Sequence, residues 1–110
     1  MNDPVGPVLR MGGEIDDVVA AIRDDNPDRE IETIDRGSYI RVQTSTRMRL
    51  SLETLRVYLG PSYELALFSS MMPSFVGRMV TSSDELIWES IKTPRTDTAR
   101  AEEKNQEELV

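Results

Sequence analysis

The sequence predicts an α+β protein: two βαββ-like halves forming one compact domain of antiparallel or mixed sheet with two main helices. Three observations predict it. Tyr39 to Thr44 alternates apolar and polar with period two, as a half-buried strand does, and follows a second strand-like run across a turn. Ile15, Val18, Val19 and Ile22 fall at i, i+3, i+4 and i+7, the stripe of an amphipathic helix. A second strand–helix–strand series follows from residue 47 without a clear sequence repeat of the first. Hairpins mixed with helices argue for α+β rather than a doubly wound parallel sheet.

The elements follow in chain order. Residues 1–4 read as a short flexible start. Val5 to Met11 is an extended edge segment, because Pro7 cannot donate to a ladder. Gly12-Gly13 breaks it. The helix around Ile15 carries Glu14, Asp16 and Asp17 in its first turn, where negative charge suits the helix dipole, and Asn26-Pro27 stops it. Glu30 to Ile34 is a strand, Asp35-Arg36-Gly37-Ser38 a turn, and Tyr39 to Thr44 the second strand of a hairpin. Arg47 to Leu50 continues it or forms another short strand. Ser51 caps a second helix whose apolar side is Leu52, Leu55, Val57, Tyr58 and Leu59, ended by Gly60-Pro61. Tyr63 to Phe68 reads as a strand and Ser69 to Pro73 as a loop. Phe75 to Thr81 reads as a strand interrupted at Gly77, as a bulge would. Leu86 to Ile91 is the last strand. The domain is expected to span 5–92. Residues 93–110 are rich in Pro, Thr, Arg, Glu and Gln and read as a disordered tail.

Composition excludes much chemistry. The 110 residues contain neither Cys nor His. A disulfide framework, a thiolate nucleophile and an imidazole base are therefore excluded, and a metal would need an oxygen-only site. No run of about 20 apolar residues exists to span a membrane, and the N-terminus lacks the pattern of a signal peptide, so the expected compartment is the cytoplasm. Net charge is −7, which argues against nucleic acid as a partner. Its distribution is uneven. Nine acids stand against Arg23 and Arg29 between Glu14 and Asp35, whereas six arginines stand against Glu53 and Glu64 between Arg36 and Arg78. Such asymmetry steers a protein onto a complementary partner, or simply marks two solvated faces.

Most candidate sites fail on chemistry. Asp24, Asn26 and Asp28 match the first spacings of a calcium loop, but Arg29 stands where that loop needs Gly, so a charged helix end fits better. Asp16 and Asp17 are adjacent on a helix and diverge by about 100°. Gly12-Gly13 precedes a helix whose acidic first turn would repel an anion. Tyr39 and Arg41 share a strand face of the kind that stacks single-stranded nucleic acid, and a small nucleic-acid-binding module is the alternative reading. Met71-Met72-Pro73-Ser74-Phe75 is an apolar stretch outside any periodicity. Two adjacent loop methionines suit an adaptable contact site better than a core.

Three stretches then carry a resemblance. Asp35-Arg36-Gly37-Ser38-Tyr39-Ile40-Arg41-Val42 resembles the Asp-Arg-x-x-Tyr-(Val/Ile)-Arg-(Ile/Val) hairpin of the effector, or coupling, proteins of bacterial multicomponent diiron monooxygenases. Pro73-Ser74-Phe75-Val76-Gly77 resembles that family's (Pro/Ala)-Ser-Phe-x-Gly stretch, and Val5-Gly6-Pro7 the opening of its toluene and alkene/isoprene members. The resemblance implies a cofactor-free regulatory subunit with no catalytic residues. Such a subunit binds the diiron hydroxylase near its active-site entrance, in competition with the ferredoxin or reductase, and acts on oxygen activation, coupling and regiospecificity. It is expected to be a monomer when free. Met71 departs from the polar residue, often Asn, of aromatic-hydroxylating relatives. Exposure and resemblance together place Arg36, Tyr39, Arg41, Met71, Met72, Pro73, Ser74, Phe75 and Arg78 on or near the contact.

Overall fold

A computed structural model describes residues 2–91. The expected tail, 93–110, lies outside the described residues. Ten elements follow in order: β1 (Pro4–Arg10), α1 (Ile15–Asp25), β2 (Glu32–Asp35), β3 (Tyr39–Ser45), β4 (Arg47–Ser51), α2 (Leu52–Leu59), α3 (Leu65–Ser70), β5 (Ser74–Val76), β6 (Arg78–Thr81) and β7 (Glu85–Glu89). They form two antiparallel sheets, ordered β2-β3-β1-β5 and β4-β7-β6. The α+β class and the first βαββ half follow the sequence reading. The second half is more complicated, because it lends β5 to the first sheet.

The termini of the elements obey local rules. Ser51 caps α2, its Oγ accepting from the Thr54 N–H at 3.2 Å. The Asp35 carboxylate accepts from the Gly37 N–H at 2.7 Å, and Gly37 takes φ +88°, which closes the β2–β3 turn. At the other end, pairing reaches back to Pro4, and the Asp3 carbonyl accepts from the Thr46 N–H at 3.0 Å. The first sheet's pairing thus begins at Pro4, one residue before the expected strand start at Val5.

Two joints carry the chain between sheets. Thr46 links β3 to β4 with φ +65°, an unusual conformation for a β-branched residue. Its carbonyl accepts from the Ser90 N–H at 2.8 Å. Gly77 links β5 to β6 with φ +99°, and a Cβ there would stand 2.7 Å from the Glu89 carbonyl oxygen and 2.8 Å from Val5 Cγ1. The expected bulge is therefore a corner between sheets, and only glycine fits it.

The core lies between the sheets and the helices. Val5, Leu9, Ile40 and Val42 reach it from the first sheet, Met48, Leu50, Leu86 and Trp88 from the second, and Val18, Ala21, Ile22 and Leu55 from α1 and α2. Phe68 meets Trp88 edge-on with ring centres 6.1 Å apart. That contact explains one correction. Tyr63 to Phe68 was expected as a strand but holds helix α3, in which Leu65 and Phe68, three residues apart, turn inward while Leu67 is 52% exposed. A short apolar run carries no period long enough to separate the two forms, and the Trp88 contact decides it. Val57, assigned to the buried side of α2, is 75% exposed.

Candidate docking face

The first sheet turns one surface away from the core. On β3, Ile40 and Val42 point inward, so Tyr39 and Arg41 point out. Register sets their neighbours. Tyr39 lies opposite Arg10, Arg41 opposite Val8 on one side and Ile34 on the other, and Val8 opposite Ser74. The result is a cleft of about 410 Å³ lined by Val8, Tyr39, Arg41, Pro73, Ser74 and Val76. Tyr39 is 41% exposed beside it, and Arg36 stands exposed in the adjoining turn.

The arginines of this face are free of carboxylate partners. Among the described residues, Arg10, Arg36 and Arg41 form no ion pair. Of the nearby acids, Asp35 accepts from the Gly37 N–H, and Glu32, on the same face as Arg41, accepts from the Gln43 amide at 2.8 Å. Unpaired guanidiniums around a partly apolar cleft suit a macromolecular contact, for which Arg and aromatic residues are enriched.

The structure brings together four of the expected contact residues, Tyr39, Arg41, Pro73 and Ser74, with Arg36 at the margin. Three others fall differently. Met71 and Met72 are half-buried and pack against the core. Helix α3 folds the loop inward, and the Met71 carbonyl accepts from the Arg10 N–H at 2.8 Å. The exposed apolar group of this stretch is Phe75, 41% exposed. Arg78 lies in the second sheet, opposite Glu89, and holds its carboxylate with Nη2 at 3.0 Å and Nε at 3.3 Å. It fixes β6 to β7 and lies apart from the cleft lining. Sequence reasoning missed Val8, Arg10, Ile34 and Val76. Alternation on β1 puts Val8 and Arg10 on one face, but only strand register puts that face beside Tyr39 and Arg41.

The acid-rich segment weighed as a calcium loop does structural work. Asn26 is buried, its Nδ2 donates to the carbonyls of Ile22 (2.7 Å) and Arg49 (2.8 Å), and its Oδ1 accepts from the Arg49 N–H at 3.0 Å. Asp25 accepts from the Ser51 N–H at 2.6 Å and the Thr54 hydroxyl at 2.7 Å. Both side chains tie the end of α1 to β4 and α2. Arg49 pairs with Glu85 at 2.6 Å, and this hydrogen bond raises the guanidinium pKa further.

Such a protein, two antiparallel sheets with a basic, partly apolar outer face and no histidine or cysteine, has the makings of a docking subunit. The chain belongs to the MmoB/DmpM family, whose model matches residues 3–89. This meets the resemblance read from the hairpin and the Pro-Ser-Phe-x-Gly stretch. The effector subunit of the alkene monooxygenase system of Xanthobacter autotrophicus is 42% identical over 84 residues, covering 76% of this chain and 83% of that protein. The same fold is found in a phenol hydroxylase–regulatory protein complex (24% identity, TM-score 0.68, 78% of this chain and 97% of that one). It recurs in the soluble methane monooxygenase regulatory protein B (20% identity, TM-score 0.60, 82% and 67%). The relatives are effector and regulatory proteins, not catalytic components.

Proposed function

We propose that this protein is the effector subunit of a multicomponent diiron monooxygenase that oxidises a hydrocarbon, an alkene, isoprene or aromatic. In this reading it binds the hydroxylase near its active-site entrance through the outer face of the first sheet. Binding one hydroxylase state better than another shifts that enzyme toward productive oxygen activation, and so raises coupling and sets regiospecificity. The ferredoxin or reductase competes for the same hydroxylase surface, and the free effector is a cytoplasmic monomer. The chemistry belongs to the hydroxylase, and this chain contributes a surface.

The observation that carries the reading is the cleft between Val8, Tyr39 and Arg41, around which Arg10, Arg36 and Arg41 form no ion pair among the described residues. Kinship with an alkene monooxygenase effector supports the class of system. Titration into the purified hydroxylase with its electron-transfer partners tests it. The wild-type protein should raise product formed per electron supplied. Arg41→Glu should weaken hydroxylase binding roughly tenfold, worth about 1.4 kcal/mol, with an unchanged melting temperature. Unchanged binding and coupling for Arg41→Glu and Arg36→Glu would place the contact elsewhere.

A further inference from the structure

We propose that the docking face is two-signed, and that the hydroxylase strip it takes carries carboxylates at one end and Lys or Arg side chains at the other. This rests on the reading above that the face meets the hydroxylase. Arg10, Arg36 and Arg41 gather around the turn end of the β2–β3 hairpin. At the far end of the same strand pair lies a hollow of about 420 Å³ lined by Asp28, Arg29, Glu30, Glu32, Thr44 and Ser45. Tyr39 and Ser45 mark the two ends on β3, and the strand between them spans roughly 20 Å.

Register makes the two ends one face. Glu32 lies opposite Gln43 and Ile34 opposite Arg41, so Glu32, Gln43 and Arg41 point to the same side. Arg41 and Glu32 are diagonal neighbours, yet they form no ion pair, and Glu32 accepts instead from Gln43 Nε2 at 2.8 Å. Gln43 is 9% exposed, and its Oε1 has no hydrogen-bond partner among the described residues. Such an open acceptor between the two ends suits a donor brought by a partner. Asp28 and Glu30 are exposed, and neither forms an ion pair among the described residues. Arg29 offsets part of their charge, while its Nη1 donates to the Ser45 carbonyl at 2.8 Å and the Thr46 hydroxyl at 3.3 Å. At the turn end, Asp35 alone of the hairpin's turn stands against the three arginines. Each end thus keeps an excess of one sign. A partner of one sign throughout is repelled at one end, so a strip with both signs in matching order gains at each and is held in one direction.

The test titrates the full chain into the purified hydroxylase at about 20 and about 500 mM salt, as wild type, D28K/E30K, D28N/E30Q and R41E. D28K/E30K should bind roughly fivefold more weakly at low salt with an unchanged melting temperature, and the difference should shrink at high salt, where charge is screened. D28N/E30Q removes the charge without reversing it, and should show a smaller loss in the same direction. Equal or tighter binding by both acid variants would overturn the proposal, because a hydroxylase strip that is acidic throughout gains when these carboxylates are lost. If R41E alone weakened binding, the effector reading would stand and the two-signed face would fall. If no form of the protein bound the hydroxylase, both would fall. A face with opposite signs at its ends also matches a second copy turned end for end. Sedimentation of the free protein should therefore show no growth in mass with concentration. Growth that D28K/E30K abolishes would assign the acidic end to a second copy and overturn the proposal.

Discussion

The two sheets use arginine in opposite ways. In the β4-β7-β6 sheet, Arg49 pairs with Glu85 at 2.6 Å and Arg78 with Glu89 at 3.0 Å, and the buried Asn26 ties the same sheet to α1. In the β2-β3-β1-β5 sheet, Arg10 and Arg41 face outward without a carboxylate partner among the described residues. The second sheet is thus braced internally, and the first keeps its charge available. An arginine on a strand tells nothing by itself. Its cross-strand neighbour decides whether it holds the fold or meets a partner.

Substitutions can break this comparison, and the largest effect is expected at the joint that holds the sheets together. Gly77→Val forces a side chain against Val5 and the Glu89 carbonyl in a left-handed conformation, and should cost about 3–4 kcal/mol by denaturant unfolding. Asn26→Leu leaves the Arg49 backbone groups without their partners and should cost about 2–3 kcal/mol. Arg78→Met strands the nearly buried Glu89 carboxylate and should cost about 1–2 kcal/mol, whereas Arg41→Met should change stability by under about 0.5 kcal/mol. If the two arginine variants proved equally destabilising, the distinction between bracing and available arginines would fail. Thr46→Gly, at the other joint, relieves the positive φ and should stabilise by about 0.5 kcal/mol.

A smaller effect is expected with pH. Tyr58 is held above its ordinary 10.0 by donating to Asp24, and Tyr63 mainly by burial. Both folded values lie above the unfolded one, so their contribution is complete below about pH 10 and is lost as pH rises through the folded values. Ultraviolet titration of the native protein should show Tyr58 and Tyr63 ionising above the ordinary tyrosine range. Stability should fall with pH in that range, and Tyr58→Phe should flatten part of the fall.

The sequence was most legible where one face of an element is buried along its whole length. The α1 stripe of Ile15, Val18 and Ile22 and the β3 alternation of Ile40 and Val42 appear where expected. So do the Ser51 cap and the Asp35–Ser38 turn, because caps and turns are settled by a few adjacent residues. Helix α3 was not legible, since the Phe68–Trp88 contact that selects it joins residues 20 apart in the chain. Among the residues lining the cleft, Tyr39 and Arg41 were readable from alternation. The half-burial of Met71 and Met72 and the pairing of Arg78 were not legible, because exposure depends on what folds over a loop and which strand lies opposite.

The sequence by itself determined the α+β class, the absence of thiol and imidazole chemistry, the charge asymmetry and the family motifs. Each of these is carried by residue identity or short-range spacing. The tertiary structure alone decided that β5 crosses into the first sheet at Gly77, that Val8 and Arg10 stand beside Arg41 and Tyr39, and that Arg78 is spent on Glu89. Those outcomes depend on strand register and on packing between distant segments, which side-chain period does not encode.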